Sequence, residues 1–393
     1  MAGQCLIAQI TQIVRQEIAL QGFIPFARFM ELALYCPNYG YYERAETVIG
    51  QAGNYFTSVS TGSLFGQLLA FQFAEWLNQL PERPVQLVEA GAHHGSLAVD
   101  ILAWLSQMRS AILESLEYWI IEPSPRRRTW QKNQLEHFAG RVSWSDSIRS
   151  LPNGVHGVIF SNELLDAMPV HRLGWDAASR LWFEWGVGVR GEEFVWAKMP
   201  MDQTRASAEL KKAGLELPPA LAAILPDGFA IDICPGAAEW WQQAATVLRD
   251  GKLLTIDYGL TAEQFLIPER PAGTLRAYFR HHLSTDPLGN VGEQDLTAHV
   301  NWTQLQQAGE AAGLQTVGLF TQEQFFTQIA SATWKDESSF GEWTPHRVRQ
   351  FQTLTHPQHL GRSFRVLVQS RSLQAPPSTL APGANPNHYG RMQ

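Results

Sequence analysis

One stretch constrains the fold more than any other, the run from Val85 to Met108. Val85, Leu87 and Val88 predict a short buried strand, bounded upstream by Pro81 and Pro84. Leu97, Ile101, Leu102, Leu105 and Met108 recur at helical spacing and predict a helix with Ser96 as its N-cap. Gly91 and Gly95 lie between the two. Glycine lets the backbone take positive φ and lets a ligand approach the main chain closely. The helix N-terminus then offers free N–H groups to a polar or anionic group. Strand, glycine turn and helix in this order form the opening unit of an α/β, Rossmann-like nucleotide-binding core. A plain strand–helix corner has the same local sequence, and the stretch alone leaves both open.

The pattern reads Glu89-x-Gly91-x-His93-x-Gly95. It is not the Gly-x-Gly-x-x-Gly of dinucleotide enzymes, so an oxidoreductase is not expected. Tyr118 to Glu122 predicts a second strand ending in a carboxylate, where such folds need two acceptor oxygens for the ribose hydroxyls. Pro123-Ser124-Pro125 then starts a helix over 126–138. Arg141–Trp144 predicts a third strand, followed by Asp146. Val155–Phe160 predicts a fourth, interrupted at Gly157 and leading into Asn162-Glu163-Leu164-Leu165-Asp166-Ala167-Met168-Pro169. Open α/β sheets hold ligands at the C-terminal ends of their strands. Asn162, Glu163 and Asp166 are therefore the catalytic candidates. The competing reading is that the two acids merely favour a helix N-terminus. After a helix over 237–249, closed by Gly251, Leu253–Ile256 predicts a further buried strand ending at Asp257-Tyr258. Asp295 and His299, four apart, suit an acid–base pair, a metal pair, or a histidine fixed for structural reasons.

Residues 1–80 read as a helical N-terminal cap, with helices over 6–20, from Pro25 through Leu34, and over Ser63–Leu77. Residues 81–170 form the first part of the core. Residues 171–235 form an inserted lobe for substrate or dimer contacts, with strands Leu181–Val187 and Glu193–Trp196. Residues 236–370 complete the core, ending in a strand over Ser363–Val368. Residues 371–393, rich in Pro, Ser, Gly and Asn, predict a disordered tail. A net charge of −7 argues against a nucleic-acid partner, and no apolar run is long enough to span a bilayer. Cys5, Cys36 and Cys234 are too scattered for a disulfide framework or a metal site. The N-terminus carries neither a secretory signal nor an Arg- and Ser-rich presequence. The expected location is the cytoplasm, or the mitochondrial matrix if the source is a eukaryote. Aromatic side chains exposed on the insertion would suit a homodimer.

Several separated motifs agree on one family. They are Phe29–Tyr35 with Pro37–Tyr42, Phe56-Thr57-Ser58 with Leu64-Phe65-Gly66, Glu89–Leu97, Ile121–Pro125, Asn162–Pro169, Asp257–Gly259, Gly273–Arg276 and Asp295–Val300. In this order, over roughly residues 23–369, the chain resembles the S-adenosylmethionine (SAM) methyltransferases typified by mitochondrial complex I assembly factor 7 and its bacterial MidA-like relatives. The resemblance implies a class I methyltransferase core, SAM as cofactor and no metal. It implies a protein arginine as acceptor, on a complex I subunit in the mitochondrial member. It also implies that Glu89, Gly91, Gly95, Glu122 and Asp146 bind the cofactor, the glycines under its methionine part, Glu122 at the ribose and Asp146 at the adenine edge. Asn162, Glu163 and Asp166 would line the acceptor side, with Asp257, Tyr258, Asp295 and His299 as further substrate-side candidates. Arginine presents a planar fork of donors that carboxylates match bidentately. The chain departs from the family at His93, where the middle glycine is expected, at Asn54, often acidic, and at Val59, commonly proline. A side chain at position 93 implies crowding of the methionine part or a different turn. The second reading is therefore a non-catalytic assembly protein on the same fold, with a degenerate SAM pocket.

Overall fold

The computed structural model describes residues 2–44, 57–81, 84–267, 269–280 and 282–372, with side chains from Ala8 onward. Among the described residues the central sheet has eight strands. Seven form one path, β1 (Val85–Ala90), β2 (Leu116–Ile121), β3 (Val142–Ser145), β4 (Val155–Asn162), β5 (Leu248–Leu260), β6 (Gln315–Thr321) and β7 (Phe364–Arg371), and the short Val300–Asn301 pairs parallel with the end of β5. Their spatial order is β3-β2-β1-β4-β5-β7-β6. β1 to β5 run parallel, and β7 is antiparallel to both its neighbours. The order reverses between β1 and β4, which opens a crevice at their C-terminal ends.

Alternate residues of these strands enter two cores, as a sheet covered on both faces requires. Leu87, Val158, Phe160 and Leu254 pack under helices α3 (Leu64–Leu77) and α4 (Ser96–Met108) once α1 (Ala2–Gln21) and α2 (Phe26–Tyr35) have been passed in the chain. Val88, Ile159 and Leu253 pack on the other face with Trp241 and Trp302. Helix α5 (Pro125–Gln134) follows β2, and α6 (Pro235–Val247) precedes β5. Within the α5 opening, the Ser124 hydroxyl accepts the Arg127 N–H and Pro125 fills the first turn.

The inserted lobe is an antiparallel sheet of His171–Asp176, Leu181–Arg190, Glu193–Pro200 and Ala230–Ile233, joined by Ile24–Pro25 from the N-terminal region. The N-terminal helices divide between two bodies. Phe26, Phe29 and Met30 of α2 share a core with Val170 and Val187 of the lobe, whereas α3 belongs to the main core.

Several local expectations change. Ser96 is the first residue of α4 rather than its cap; Gly95 holds the cap position at φ 88°, with no side-chain cap. β4 runs unbroken through Gly157, and glycine is required there because a Cβ would lie 1.8 Å from the Gln86 carbonyl of β1. Gly251 does not close a helix. α6 ends at Val247, and Gly251 sits inside β5 at φ 126°, just beyond a register shift, with its α-carbon against the Gly157 backbone. The aromatics expected at the insertion surface are largely covered: Trp175, Trp182 and Phe183 are buried, and its exposed large apolar side chains are Leu181, Val189 and Ile224. Phe56, Asn54 and most of the expected tail lie outside the described residues.

Candidate active site

A cleft of about 940 Å³ opens where the strand order reverses, within the usual size range of small-molecule sites. Its inner wall is the turn after β1. Gly91, His93 and Gly95 all take left-handed conformations, at φ 78°, 46° and 88°. Histidine enters this region more readily than most side chains. The His93 carbonyl accepts the Gln131 side-chain amide at 3.0 Å, which ties the turn to α5. Burial pushes the His93 imidazole down to about 3, with His94 and Arg127 adding to it, so it is neutral near pH 7.

Glu122 stands at the end of β2, buried and facing the cleft. Its Oε1 accepts the Ser124 N–H and the Arg127 Nε–H, both at 2.9 Å, and its Oε2 accepts Gln131 Nε2 at 3.1 Å. Gln131 is itself oriented by the Trp144 indole N–H at 2.9 Å. A second carboxylate joins this group. Glu43, from the tyrosine-rich turn after α2, accepts the Ser124 hydroxyl at 2.8 Å and lies 3.6 Å from the Arg127 guanidinium. Sequence reasoning missed Glu43, although it follows directly on the Pro37–Tyr42 motif. Glu89 accepts the Tyr118 hydroxyl at 2.6 Å, and burial raises its carboxyl to about 7. Asp146 lies at the rim, mostly exposed and paired with Arg128.

The wall expected to face the acceptor is built differently. Asn162 and Glu163 line the cleft. Glu163 Oε1 accepts the Asn162 amide at 3.0 Å and the Ser58 N–H at 3.3 Å. Behind them are Asp166, which accepts the Tyr258 hydroxyl, and Asp295, which accepts the Tyr42 hydroxyl at 2.7 Å. Glu163 Oε2, Asp166 Oδ1, Asp295 Oδ2 and Asn162 Oδ1 are buried without a hydrogen-bond partner. Burial first, then neighbouring negative charge, raises Glu163 to about 8 and Asp295 to about 7; burial raises Asp166 to about 6. Among the described residues, no cation pairs with these three acids.

Asp257 lies behind the nest and outside the cleft wall. Its carboxylate accepts the N–H groups of Leu165, at 3.0 Å, and Tyr258, at 2.9 Å, which fixes the Asn162–Pro169 loop. Asp295 and His299 do not form the expected pair. Asp295 is turned to Tyr42, while His299 stands edge-on to Tyr258 with ring centroids 5.8 Å apart. Burial lowers His299 to about 4.

The residues at the crevice suit the nucleoside and amino-acid parts of SAM: an exposed glycine turn, a buried strand-end carboxylate, and an orphaned imidazole nitrogen. Comparison with known proteins agrees. The model of a family described as S-adenosyl-L-methionine-dependent methyltransferase matches residues 68–320. The chain is 25% identical to the mitochondrial protein arginine methyltransferase NDUFAF7 homolog of Drosophila melanogaster, over 90% of this chain and 83% of that one. It is 25% identical to mitochondrial protein arginine methyltransferase NDUFAF7 of Danio rerio, over 91% and 85%. A protein from Burkholderia thailandensis, crystallised bound to S-adenosyl-homocysteine, superimposes with a TM-score of 0.81 at 29% identity over 95% of each chain. With the strand order, this likeness shows the Rossmann-like fold expected from the sequence. The curated relatives are named mitochondrial, which overturns the expectation of a cytoplasmic protein.

Proposed function

The chain belongs to the family of S-adenosyl-L-methionine-dependent methyltransferases, and from that premise we propose that its acceptor is an arginine guanidinium on a protein. The nest of Glu163, Asp166 and Asp295 supports this most directly. It holds three buried carboxyl groups, each with an oxygen lacking a partner, and no cation among the described residues. Burying like charges together is costly unless a counter-charge arrives. A guanidinium brings one delocalised charge and five donors in a planar fork, which matches several carboxylate oxygens better than the point charge of a lysine. The names of the curated relatives point the same way.

In this reading Gly91 and Gly95 pass under the methionine part of the cofactor, Glu89 closes the strand beside them, Glu122 meets the ribose and Asp146 lies at the adenine edge. Bound SAM supplies an electrophilic methyl group. Asn162 and Glu163 face the acceptor, and Asp166, expected beside them, stands behind them, buried and outside the cleft lining. Their carboxylates would draw positive charge away from one guanidinium nitrogen and aim it, so that positioning supplies most of the rate. Glu163 holds a proton up to about pH 8 in the empty site; a guanidinium beside it would lower that value and release the proton, and the resulting carboxylate is placed to take the proton that the methylated nitrogen gives up. Asp295, Tyr258 and His299 hold this wall from behind through Tyr42 and Asp166, and Asp257 fixes the loop. Glu43 joins Glu122 on the shared Arg127 and Ser124.

The first protein substrate to try is a complex I subunit, following the resemblance carried by the motifs. A homodimer would form through the inserted sheet, whose strand Glu193–Pro200 pairs on one side only and whose Leu181 and Val189 stay exposed. The non-catalytic alternative rests on His93 and on the large insertion, and it predicts no affinity for SAM. The test uses methyl-labelled SAM and protein extract, followed by acid hydrolysis and separation of the amino acids. Label in methylarginine is expected. Label confined to other amino acids would overturn the assignment.

A further inference from the structure

The glycine turn carries one side chain that the proposed function leaves unused. His93 occupies the middle of the turn, lines the cleft, and holds its Nε2 buried without a partner. The ring is fixed from several sides. It stands edge-on to His94, with centroids 4.2 Å apart, and at 6.4 Å from Tyr42. His94 packs against Trp130 at 5.0 Å, and the His93 carbonyl is held by Gln131. We infer that His93 is a cofactor-binding residue whose Nε2 makes a hydrogen bond to the amino-acid end of SAM, its α-ammonium or α-carboxylate.

Three physical arguments lead there. A buried polar atom without a partner costs about 1–3 kcal/mol, and such an atom in a cleft wall regains that when a ligand supplies the partner. A neutral imidazole offers one donor nitrogen and one acceptor nitrogen, and His93 is held neutral near pH 7, so neither charged group of the amino-acid end is repelled. The ring is also already immobilised by its neighbours, so little further ordering accompanies the contact. A glycine at this position offers only its backbone. The histidine therefore adds selectivity for nucleoside thioethers that retain the amino acid over those that have lost it.

The inference rests on the cofactor assignment above, and one experiment separates the two. Calorimetry would compare S-adenosylhomocysteine with 5′-methylthioadenosine, which lacks the amino-acid end. The proteins are the full chain, His93→Gly and His93→Asn; asparagine also enters the left-handed region and carries a donor and an acceptor. The full chain should bind both ligands. His93→Gly should lose about tenfold in affinity for S-adenosylhomocysteine and nothing for 5′-methylthioadenosine, and His93→Asn should recover part of the loss. Unchanged or tighter binding of S-adenosylhomocysteine by His93→Gly overturns the inference, because it means that the ring crowds the site. An equal loss for both ligands in His93→Gly and His93→Asn also overturns it. A full chain that binds neither ligand overturns the cofactor assignment, and the inference with it.

Discussion

Replacing Glu163 by glutamine removes one ionisable carboxyl from the acceptor nest while keeping its shape. The amide oxygen still accepts Asn162 Nδ2 and the Ser58 N–H, and the amide nitrogen takes the place of the partnerless Oε2. In the native protein, burial and then Asp166 raise this carboxyl from 4.5 to about 8. At about 1.4 kcal/mol for each pH unit, ionising it in the empty site costs roughly 5 kcal/mol. Relaxation and water entry lower the effective cost of a buried charge, leaving roughly 2 kcal/mol, or about 2 °C in the melting temperature of a chain of 393 residues. Because the raised value belongs to the folded state, the proton's contribution to stability is complete below about pH 4.5 and is lost as the pH rises through 8. The native protein should therefore melt progressively lower from about pH 5 to pH 9, and Glu163→Gln should flatten that slope. The variant should melt about 2 °C higher than the native protein at pH 9 and at nearly the same temperature at pH 5. Methyl transfer to arginine should fall by roughly a hundredfold, the usual loss when one charge-stabilising group leaves a site. Scanning calorimetry across pH and a turnover assay at pH 8 check the two halves. Parallel melting curves for the two proteins would refute the claim that this carboxyl is protonated in the empty fold, and undiminished transfer would refute its place at the acceptor.

Glu122→Gln removes the anionic partner of Arg127 and one charged acceptor for the ribose, so affinity for S-adenosylhomocysteine should fall at least tenfold; unchanged affinity by calorimetry counts against the pocket assignment. Gly157→Ala forces a Cβ to 1.8 Å from the Gln86 carbonyl. It should cost about 3 kcal/mol or more, read as a lower urea midpoint, and an unmoved midpoint would contradict the close approach of β1 and β4. Binding of an arginine peptide should expel roughly one to two protons near pH 7, because a guanidinium lowers groups that stand at about 8, 7 and 6 in the empty nest. Affinity should therefore climb between about pH 6 and pH 8. Calorimetry in buffers of different ionisation enthalpy measures this, and a proton count of zero would show that the peptide binds elsewhere.

The elements around the site were legible wherever the signal is local. The buried strand at Val85, the glycine turn, the helix after Ser96 and the helix started by Pro125 depend on apolar period, positive φ and a fixed proline φ. Each acts within a few residues. Errors came where one local sign has two uses. Gly157 and Gly251 read as breaks, but they are places where neighbouring strands press together. Glu43 was passed over because nothing near it in the chain reveals that Arg127 lies opposite.

The sequence by itself determined the order of strands and helices, the carboxylates at the strand ends and the family to which they point, because these depend on spacing along one segment. Only the tertiary structure decided what those carboxylates face. Tyr42 reaches Asp295 across 253 residues, and Ser58 reaches Glu163 across 105. Glu122 and Glu163 have the same local character, yet one is paired with an arginine and the other is buried with partnerless oxygen beside two more acids. The difference comes from which distant segments the crossover of the sheet brings to its switch point, since a carboxylate's charge state is set by its surroundings and not by its neighbours in the chain.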